Sequence, residues 1–335
     1  MTKHIINVSD LSPDWNWLES EFQQLDTSWR HFSSLTLQLP SYLPKQKSIA
    51  RAYSSFKATL KARTPNSVLV SHGPRPTMYV SKFASLICPD VPHLAFSFTF
   101  TELPRGKQVD LMKKAYQQPT RFVCYSNFEK NLYADYFNIP LDKIDMIHWS
   151  AHEPTHNPNE KPSESGRYIC ALGTQGRDYK TLFEAMRLLP NIKLIAVVTP
   201  EYIQGLDIPE NVVIRSNIPL SQAFNILKFS EFMALPLRDS EAPCGHSTIV
   251  SSMFFKKSIL ITNAVTVYDY IEDQKTGLFF EANNVIDLKE KIEMLWENTA
   301  STQAMNEAAY QFAVSQCSEQ SAANYFQHFL ENYCQ

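Results

Sequence analysis

The feature that most constrains this chain is an alternation. Short apolar runs rich in β-branched residues recur along its length, with helix-length segments between them. In the first half they are Ile5–Val8, Leu35–Leu39, Ser67–Ser71, His93–Phe98, Arg121–Tyr125 and Ile144–Trp149. In the second they are Arg167–Leu172, Ile192–Val198, Val212–Ile214, Phe232–Pro236, Ser258–Thr262 and Gly277–Phe280. Strands separated by helices at this spacing specify βαβ units and parallel sheets. At 335 residues the chain exceeds what one hydrophobic core usually spans, so two α/β domains are expected. Residues 151–166, AHEPTHNPNEKPSESG, are polar, carry three prolines and lack periodicity, which makes them the linker. Two such domains joined by a linker leave a cleft between them.

Glycine is scarce, at eight residues, and neither G-x-G-x-x-G nor G-x-x-x-x-G-K-[ST] occurs. A dinucleotide-dependent dehydrogenase and a P-loop NTPase are thereby disfavoured. The six cysteines are scattered with no C-x-x-C pair, a pattern suited to a reducing compartment. The start of the chain lacks a signal peptide's apolar stretch, and no apolar run approaches the roughly 18 residues needed to span a bilayer. A cytoplasmic protein is expected. The linker holds a literal H-E-x-x-H (His152, Glu153, His156), but Pro154 inside it prevents the shared helical face that zinc binding requires. No metal site is expected.

Charge is unevenly divided. Residues 1–150 hold 17 Lys/Arg and 12 Asp/Glu, the remainder 14 and 22. Much of the positive excess falls on Lys45–Arg63, where Ile49, Tyr53, Phe56 and Leu60 recur at spacings of three and four. Lys45, Lys47, Arg51, Lys57, Lys61 and Arg63 supply the other face. Such a helix either lies on an anionic membrane surface or is merely solvated; both readings stand.

In parallel sheets, ligands sit at the carboxyl ends of the strands. His72 and Gly73, Thr99 to Glu102, and Ser126 all fall there. In the second half, Glu241–Asp273 reads as a loop, a helix opening at Gly245-His246-Ser247-Thr248, and a buried strand. Ser and Thr favour helix starts, and the free N–H groups of a helix start can hold a phosphate.

Three stretches carry a resemblance. "ALGTQGRDYKTLFEAMRLLPNIKLIAV", "GHSTIVSSMFFKKSILITN" and "VYDYIEDQKTGLFFEANNVIDLKEKIEML" stand in the order and spacing of motifs in GT-B glycosyltransferases, especially family 4. "FVCYSNFEKNLYADYFNIPLDKIDMIHW" is similar to the end of that family's acceptor domain. The resemblance implies a GT-B fold with two Rossmann-like domains. Residues 1–150 would bind acceptor and residues 167–316 a nucleotide sugar, and a C-terminal helix over 317–335 would pack back toward the first domain. It implies a metal-independent, retaining hexosyltransferase acting on a UDP- or GDP-linked donor in surface polysaccharide or glycoconjugate synthesis. The acceptor would be a glycan or lipid-linked, the membrane a peripheral contact, and nucleic acid no partner. No further cofactor is implied, and the absence of a D-x-D triplet agrees with a metal-free site.

Carried onto this sequence, Arg177 and Lys180 would meet the diphosphate and act in catalysis, with Gly245, His246, Ser247 and Thr248 donating from the helix start. Gly173 and Thr174 would line the same pocket, and Glu241 would bind donor-sugar or ribose hydroxyls. His72 and Glu102 are candidates for a base, or for binding acceptor hydroxyls if the leaving phosphate takes the proton; Gly73, Thr99 and Ser126 complete the acceptor side. The sequence departs from the pattern at Ser251, where a glutamate is expected, and at Lys256-Lys257-Ser258. Two other readings keep the fold: a sugar-nucleotide epimerase and a degenerate GT-B binding module.

Overall fold

The computed structural model describes residues 2–16, 18–22, 26–155, 157–238, 243–298 and 302–334. The chain forms two compact units, residues 1–147 with 319–335, and residues 148–318.

Unit 1 runs β1 (Lys3–Ser9), β2 (Thr27–Ser33), α1 (Gln46–Lys61), β3 (Ser67–His72), α2 (Pro74–Ile87), β4 (His93–Phe96), α3 (Lys107–Ala115), β5 (Arg121–Cys124), α4 (Asn127–Phe137) and β6 (Ile144–Met146). Its sheet is parallel throughout, in the order β2-β1-β3-β4-β5-β6. Strands β3 and β4 are buried along their whole length, as a sheet covered on both faces demands.

One strand here was not expected, and one expected strand is absent. Thr27–Ser33 is a strand that no apolar run announces. It pairs with β1 from Lys3↔Thr27 to Ser9↔Ser33 as the sheet's edge, where outward side chains stay polar. Leu35–Leu39 is not a strand. Ser33 caps a 3₁₀ turn over Ser34–Thr36 by accepting from the Leu35 N–H, and Leu35 is exposed. Between β1 and β2 the described residues form a 3₁₀ turn, Glu19–Phe22; Trp17 and residues 23–25 lie outside them.

Helix α1 forms as expected. Its buried side consists of Ala50, Ser54, Ser55, Ala58 and Thr59, small side chains that let it lie close against β1 and α2. Ile49, Tyr53, Phe56 and Leu60 face outward.

Unit 2 runs β7 (Ile169–Leu172), α5 (Tyr179–Arg187), β8 (Leu194–Val197), β9 (Val212–Arg215), α6 (Leu220–Phe229), β10 (Met233–Leu235), α7 (His246–Phe254), β11 (Ile259–Thr262), β12 (Leu278–Phe280), α8 (Val285–Glu297) and α9 (Thr302–Gln316). Its parallel sheet has the order β12-β11-β10-β7-β8-β9. The polar segment over 151–166 is fastened to this unit. Ser163 N–H donates to the Asn225 side chain at 2.7 Å, Glu160 pairs with Lys228 at 2.6 Å, and Glu164 with Arg215 at 2.6 Å. His156, the last residue of the rejected zinc spacing, lies outside the described residues. The final helix, α10 (Glu319–Tyr333), belongs to unit 1, where Ala322, Ala323, Phe326, Phe329 and Leu330 cover Ile5, Val68, Val70, Leu94, Phe96 and Val123.

Candidate functional site: a buried guanidinium at a helix start

In unit 2 the chain moves from β7 to β8 and β9 on one side, then returns so that β10 lies on the other side of β7. The loops leaving β7 and β10 therefore diverge, and the crevice between their carboxyl ends is where open α/β sheets take ligands. Residues 173–178 follow β7 and residues 236–238 follow β10. They are stitched together: Asp178 N–H donates to the Pro236 carbonyl at 3.0 Å, and Arg238 N–H to that of Gly176 at 2.9 Å.

Arg177 fills this crevice. It is 5% exposed. Its Nε donates to the Leu172 carbonyl at 3.3 Å, Nη1 to the Gln175 carbonyl at 3.0 Å, and Nη2 to the Thr248 hydroxyl at 3.1 Å; the Cys244 thiol lies 3.8 Å from Nη1. Every one of these partners is neutral. Among the described residues no carboxylate forms an ion pair with it. Burial lowers its pKa below the usual arginine value, with Cys244 and Tyr179 opposing, but a guanidinium stays charged. A buried charge normally requires a counter-charge, and the described residues supply none within ion-pair distance.

Two glycines let the side chain lie there. A β-carbon on Gly173, whose φ is +108°, would stand 2.7 Å from Arg177 Nη2. One on Gly176, at φ +66°, would stand 2.3 Å from the Cys244 sulfur. Tyr179 donates its hydroxyl to the Gly173 carbonyl at 2.5 Å, and Thr174 shares a hydrogen bond with Thr199 at 3.0 Å.

Helix α7 begins beside this guanidinium. Its cap is Gly245, at φ 96° and ψ −7°, which has no side chain to satisfy the first-turn N–H groups. The expectation that Ser and Thr cap this helix is corrected: Thr248 accepts from Arg177, and Ser247 is exposed. His246 is buried, stacked on Tyr270 with ring centroids 4.8 Å apart, and its Nε2 lies 3.4 Å from the Thr266 carbonyl. It is a packing residue that aims the helix start. Ser251 hydrogen-bonds back to the Ser247 carbonyl at 2.8 Å. Lys180 is exposed on the first turn of α5, outside the buried set. Glu241 lies outside the described residues.

Unit 1 has its own point of divergence, between β1 and β3. His72 ends β3 and is buried, with its ring edge-on to Trp15 at 4.7 Å and tilted on Phe96 at 5.6 Å. Burial, with the nearby His31, pushes its pKa down to about 3. A base works best with a pKa near the operating pH, so a neutral His72 suits a hydrogen-bonding role and is a weak proton acceptor. Gly73 caps α2 without a side-chain hydrogen bond, at φ 84°. Glu102 is exposed.

Thr99 and Ser126 do not join this group. Both serve a buried network around Glu129, which is 0% exposed. Thr99 and Tyr133 donate hydroxyls to Oε1, the second at 2.9 Å; Tyr125 N–H donates to Oε2 at 2.8 Å, and Glu129 N–H to Ser126 Oγ at 3.1 Å. Ser126 and Glu129 form a capping box at the start of α4, visible in the sequence as S-N-F-E. The hydroxyls assigned to an acceptor are thus committed to folding.

Residues 163–312 match the family model described as glycosyl transferases group 1. This segment resembles that family. No curated protein matches the sequence. Among solved structures, a glycosyltransferase from Rickettsia africae is 17% identical, with 99% of each chain covered and a TM-score of 0.68. Anabaena HepE in complex with UDP and glucose is 10% identical, with 98% of this chain and 99% of that one covered and a TM-score of 0.72. Sucrose-phosphate synthase from Thermosynechococcus elongatus is 10% identical, with 98% of each covered and a TM-score of 0.74. The fold is GT-B, with two six-stranded parallel sheets.

One participant escapes a reading of the sequence: Cys244 touches Arg177 from 67 residues away. Thr248, expected at the helix start, meets Arg177 through its side chain from 71 residues away. The signal for Cys244 is topological: it precedes the helix that follows β10, the strand across the crevice from β7.

Proposed function

We propose that this protein transfers a sugar from a UDP- or GDP-linked donor to a glycan or lipid-linked acceptor, with retention of anomeric configuration and without a metal, in surface polysaccharide or glycoconjugate synthesis. One observation carries the reading: the buried Arg177 guanidinium, neutral in all its described partners, beside the uncapped start of α7. Transfer breaks the bond from the anomeric carbon to a diphosphate oxygen and forms one to an acceptor oxygen. The acceptor's proton leaves with the departing phosphate. Negative charge grows on the diphosphate as its bond breaks, and preorganised donors aimed there stabilise the transition state more than the ground state. Arg177 and the N–H groups of Gly245 to Thr248 supply them, with Gly173 and Thr174 at the wall and Lys180 reaching in from the rim. His72 binds an acceptor hydroxyl. The UDP and glucose bound by Anabaena HepE support a UDP-linked donor.

The test is a screen of UDP- and GDP-sugars, read by release of free nucleotide with and without candidate glycan and lipid-linked acceptors. Acceptor-dependent release is expected. Turnover of donor alone would favour an epimerase. No calorimetric binding of any nucleoside diphosphate would leave a degenerate binding module and overturn the proposal.

A further inference from the structure

Tyr179, the first residue of α5, is 1% exposed. Its ring packs with Ile169, Ala171 and Phe183 on one face of unit 2's sheet. Phenylalanine would fill that space equally well, so packing leaves the hydroxyl unexplained. A buried tyrosine hydroxyl needs a partner, and this one donates to the Gly173 carbonyl at 2.5 Å. Burial holds its pKa above the usual tyrosine value, which keeps the proton in place. Gly173 is held from its other side too, because its N–H donates to the Val197 carbonyl at 3.1 Å.

The peptide unit between Gly173 and Thr174 therefore has a fixed orientation. The C=O and N–H of one trans peptide point in opposite directions. Fastening the Gly173 carbonyl to Tyr179 turns the Thr174 N–H away from that ring. Helix α7 packs on the other face of the sheet, with Ile249 and Val250 beside Leu172. There Arg177 Nη2 meets Thr248, and a β-carbon on Gly173 would stand 2.7 Å from the same nitrogen. The Thr174 N–H and the guanidinium are thus neighbours. The Thr174 hydroxyl is shared with Thr199, while its N–H donates to no described residue.

We infer that Tyr179 is a positioning residue, and that the Thr174 N–H it sets is a further hydrogen-bond donor to the departing diphosphate. The inference rests on the sugar-transfer reading and deepens it. A main-chain N–H stabilises growing charge only if it is aimed before the bond breaks. Glycine allows its peptide to turn, so the aim comes from the hydroxyl of Tyr179. Charge on the diphosphate is greatest in the transition state, so losing that aim lowers kcat and leaves KM for the sugar nucleotide nearly unchanged.

The experiment is Tyr179→Phe in the full chain, which keeps the ring and removes the hydroxyl. With the sugar nucleotide that the wild type turns over, kcat should fall by about tenfold, less than the loss of a donor removed outright. KM should stay within about twofold. A second readout needs no sugar: inorganic pyrophosphate added to the ¹⁵N-labelled chain should shift the Thr174 amide resonance, and should shift it less in Tyr179→Phe. Three results would overturn the inference: an unchanged kcat in the variant, a Thr174 resonance that ignores pyrophosphate, or equal shifts in both proteins. A lowered melting temperature with wild-type kcat would likewise make the hydroxyl a purely structural group. A wild type that turns over no sugar nucleotide would defeat the transfer reading alone, since the Thr174 shift still decides whether that amide meets a diphosphate.

Discussion

The two units share a parallel six-stranded architecture with different strand orders, and they differ in how an arginine near the divergence point is paired. Each has a six-stranded parallel sheet with a divergence point at strand carboxyl ends, and each places there a helix capped by a glycine without side-chain help, Gly73 in one and Gly245 in the other. Each also has an arginine nearby. In unit 1, Arg51 is neutralised: its Nε and Nη2 meet Asp10 at 2.7 and 2.6 Å, and Ser34 donates to the same carboxylate at 2.6 Å. In unit 2, Arg177 meets two carbonyls, a thiol and a hydroxyl. Topology therefore builds a crevice, and its charge balance selects the occupant. A compensated arginine and a neutral histidine suit a neutral, hydroxylated molecule. An arginine with no carboxylate partner among the described residues suits the diphosphate proposed above.

The sharpest way to break this contrast is to remove the uncompensated charge. Arg177→Ala should lower sugar transfer by about a hundredfold to a thousandfold, the usual loss for one preorganised transition-state donor. Its thermal stability should hold, because the variant relieves a buried charge. Arg51→Ala in unit 1 should leave nucleotide binding unchanged. Unaltered turnover in the first variant, by nucleotide release, would remove Arg177 from the chemistry.

Backbone room around that guanidinium comes next. Gly173→Ala puts a β-carbon 2.7 Å from Nη2 at a φ of +108°, which costs about 1–3 kcal/mol. Turnover should fall by roughly tenfold or more, with a lowered melting temperature. Gly166→Ala, also at positive φ but with nothing within 4 Å, is the control that separates backbone strain from collision with Arg177.

What the sequence disclosed, and what it hid, follows from what a one-dimensional pattern can hold. The buried strands were legible because both sheet faces demand apolar residues. The edge strand Thr27–Ser33 was not, since solvent on its outer side permits Ser28 and Arg30 there. The period of α1 was legible but not its facing. An apolar stripe has the same spacing on either side of a helix, and only Ala50, Ser54 and Ala58 marked the packed one. At the candidate site, the order of motifs placed the glycine-rich turn and the helix start correctly. Burial of Arg177 could not be read, because a charged residue in a loop is ordinarily solvated. Ser126 was misassigned for the converse reason: a strand-end hydroxyl looks available until Glu129 is seen to require the cap.

Acid should separate the units by stability. His72 and His93 of unit 1 are buried, and burial lowers their pKa values to about 3 and about 4. An unfolded histidine binds its proton near pH 6.5. Both groups therefore favour folding above that value, and their contribution fades as pH falls from about 6.5 through 4 toward 3, by up to roughly 1.4 kcal/mol per pH unit for each. Thermal unfolding followed from pH 7.5 to 4 should show the loss, and His72→Gln should flatten its slope. A slope unchanged by that substitution would mean that His72 is not held neutral in the folded state.

The finest cut concerns the hydroxyl that orients the guanidinium. Thr248 accepts from Arg177 Nη2 at 3.1 Å from the first turn of α7. Thr248→Val keeps the shape and removes the acceptor, leaving one N–H of a buried cation unmet. A hydrogen bond of this kind contributes about 1 kcal/mol, so transfer should fall by roughly fivefold. The loss should appear in kcat rather than KM, since charge on the diphosphate is greatest in the transition state. Thr248→Ser, which restores the oxygen, should recover most of it. If valine and serine behave alike, Thr248 only packs, and the orientation of Arg177 rests on the carbonyls of Leu172 and Gln175 alone.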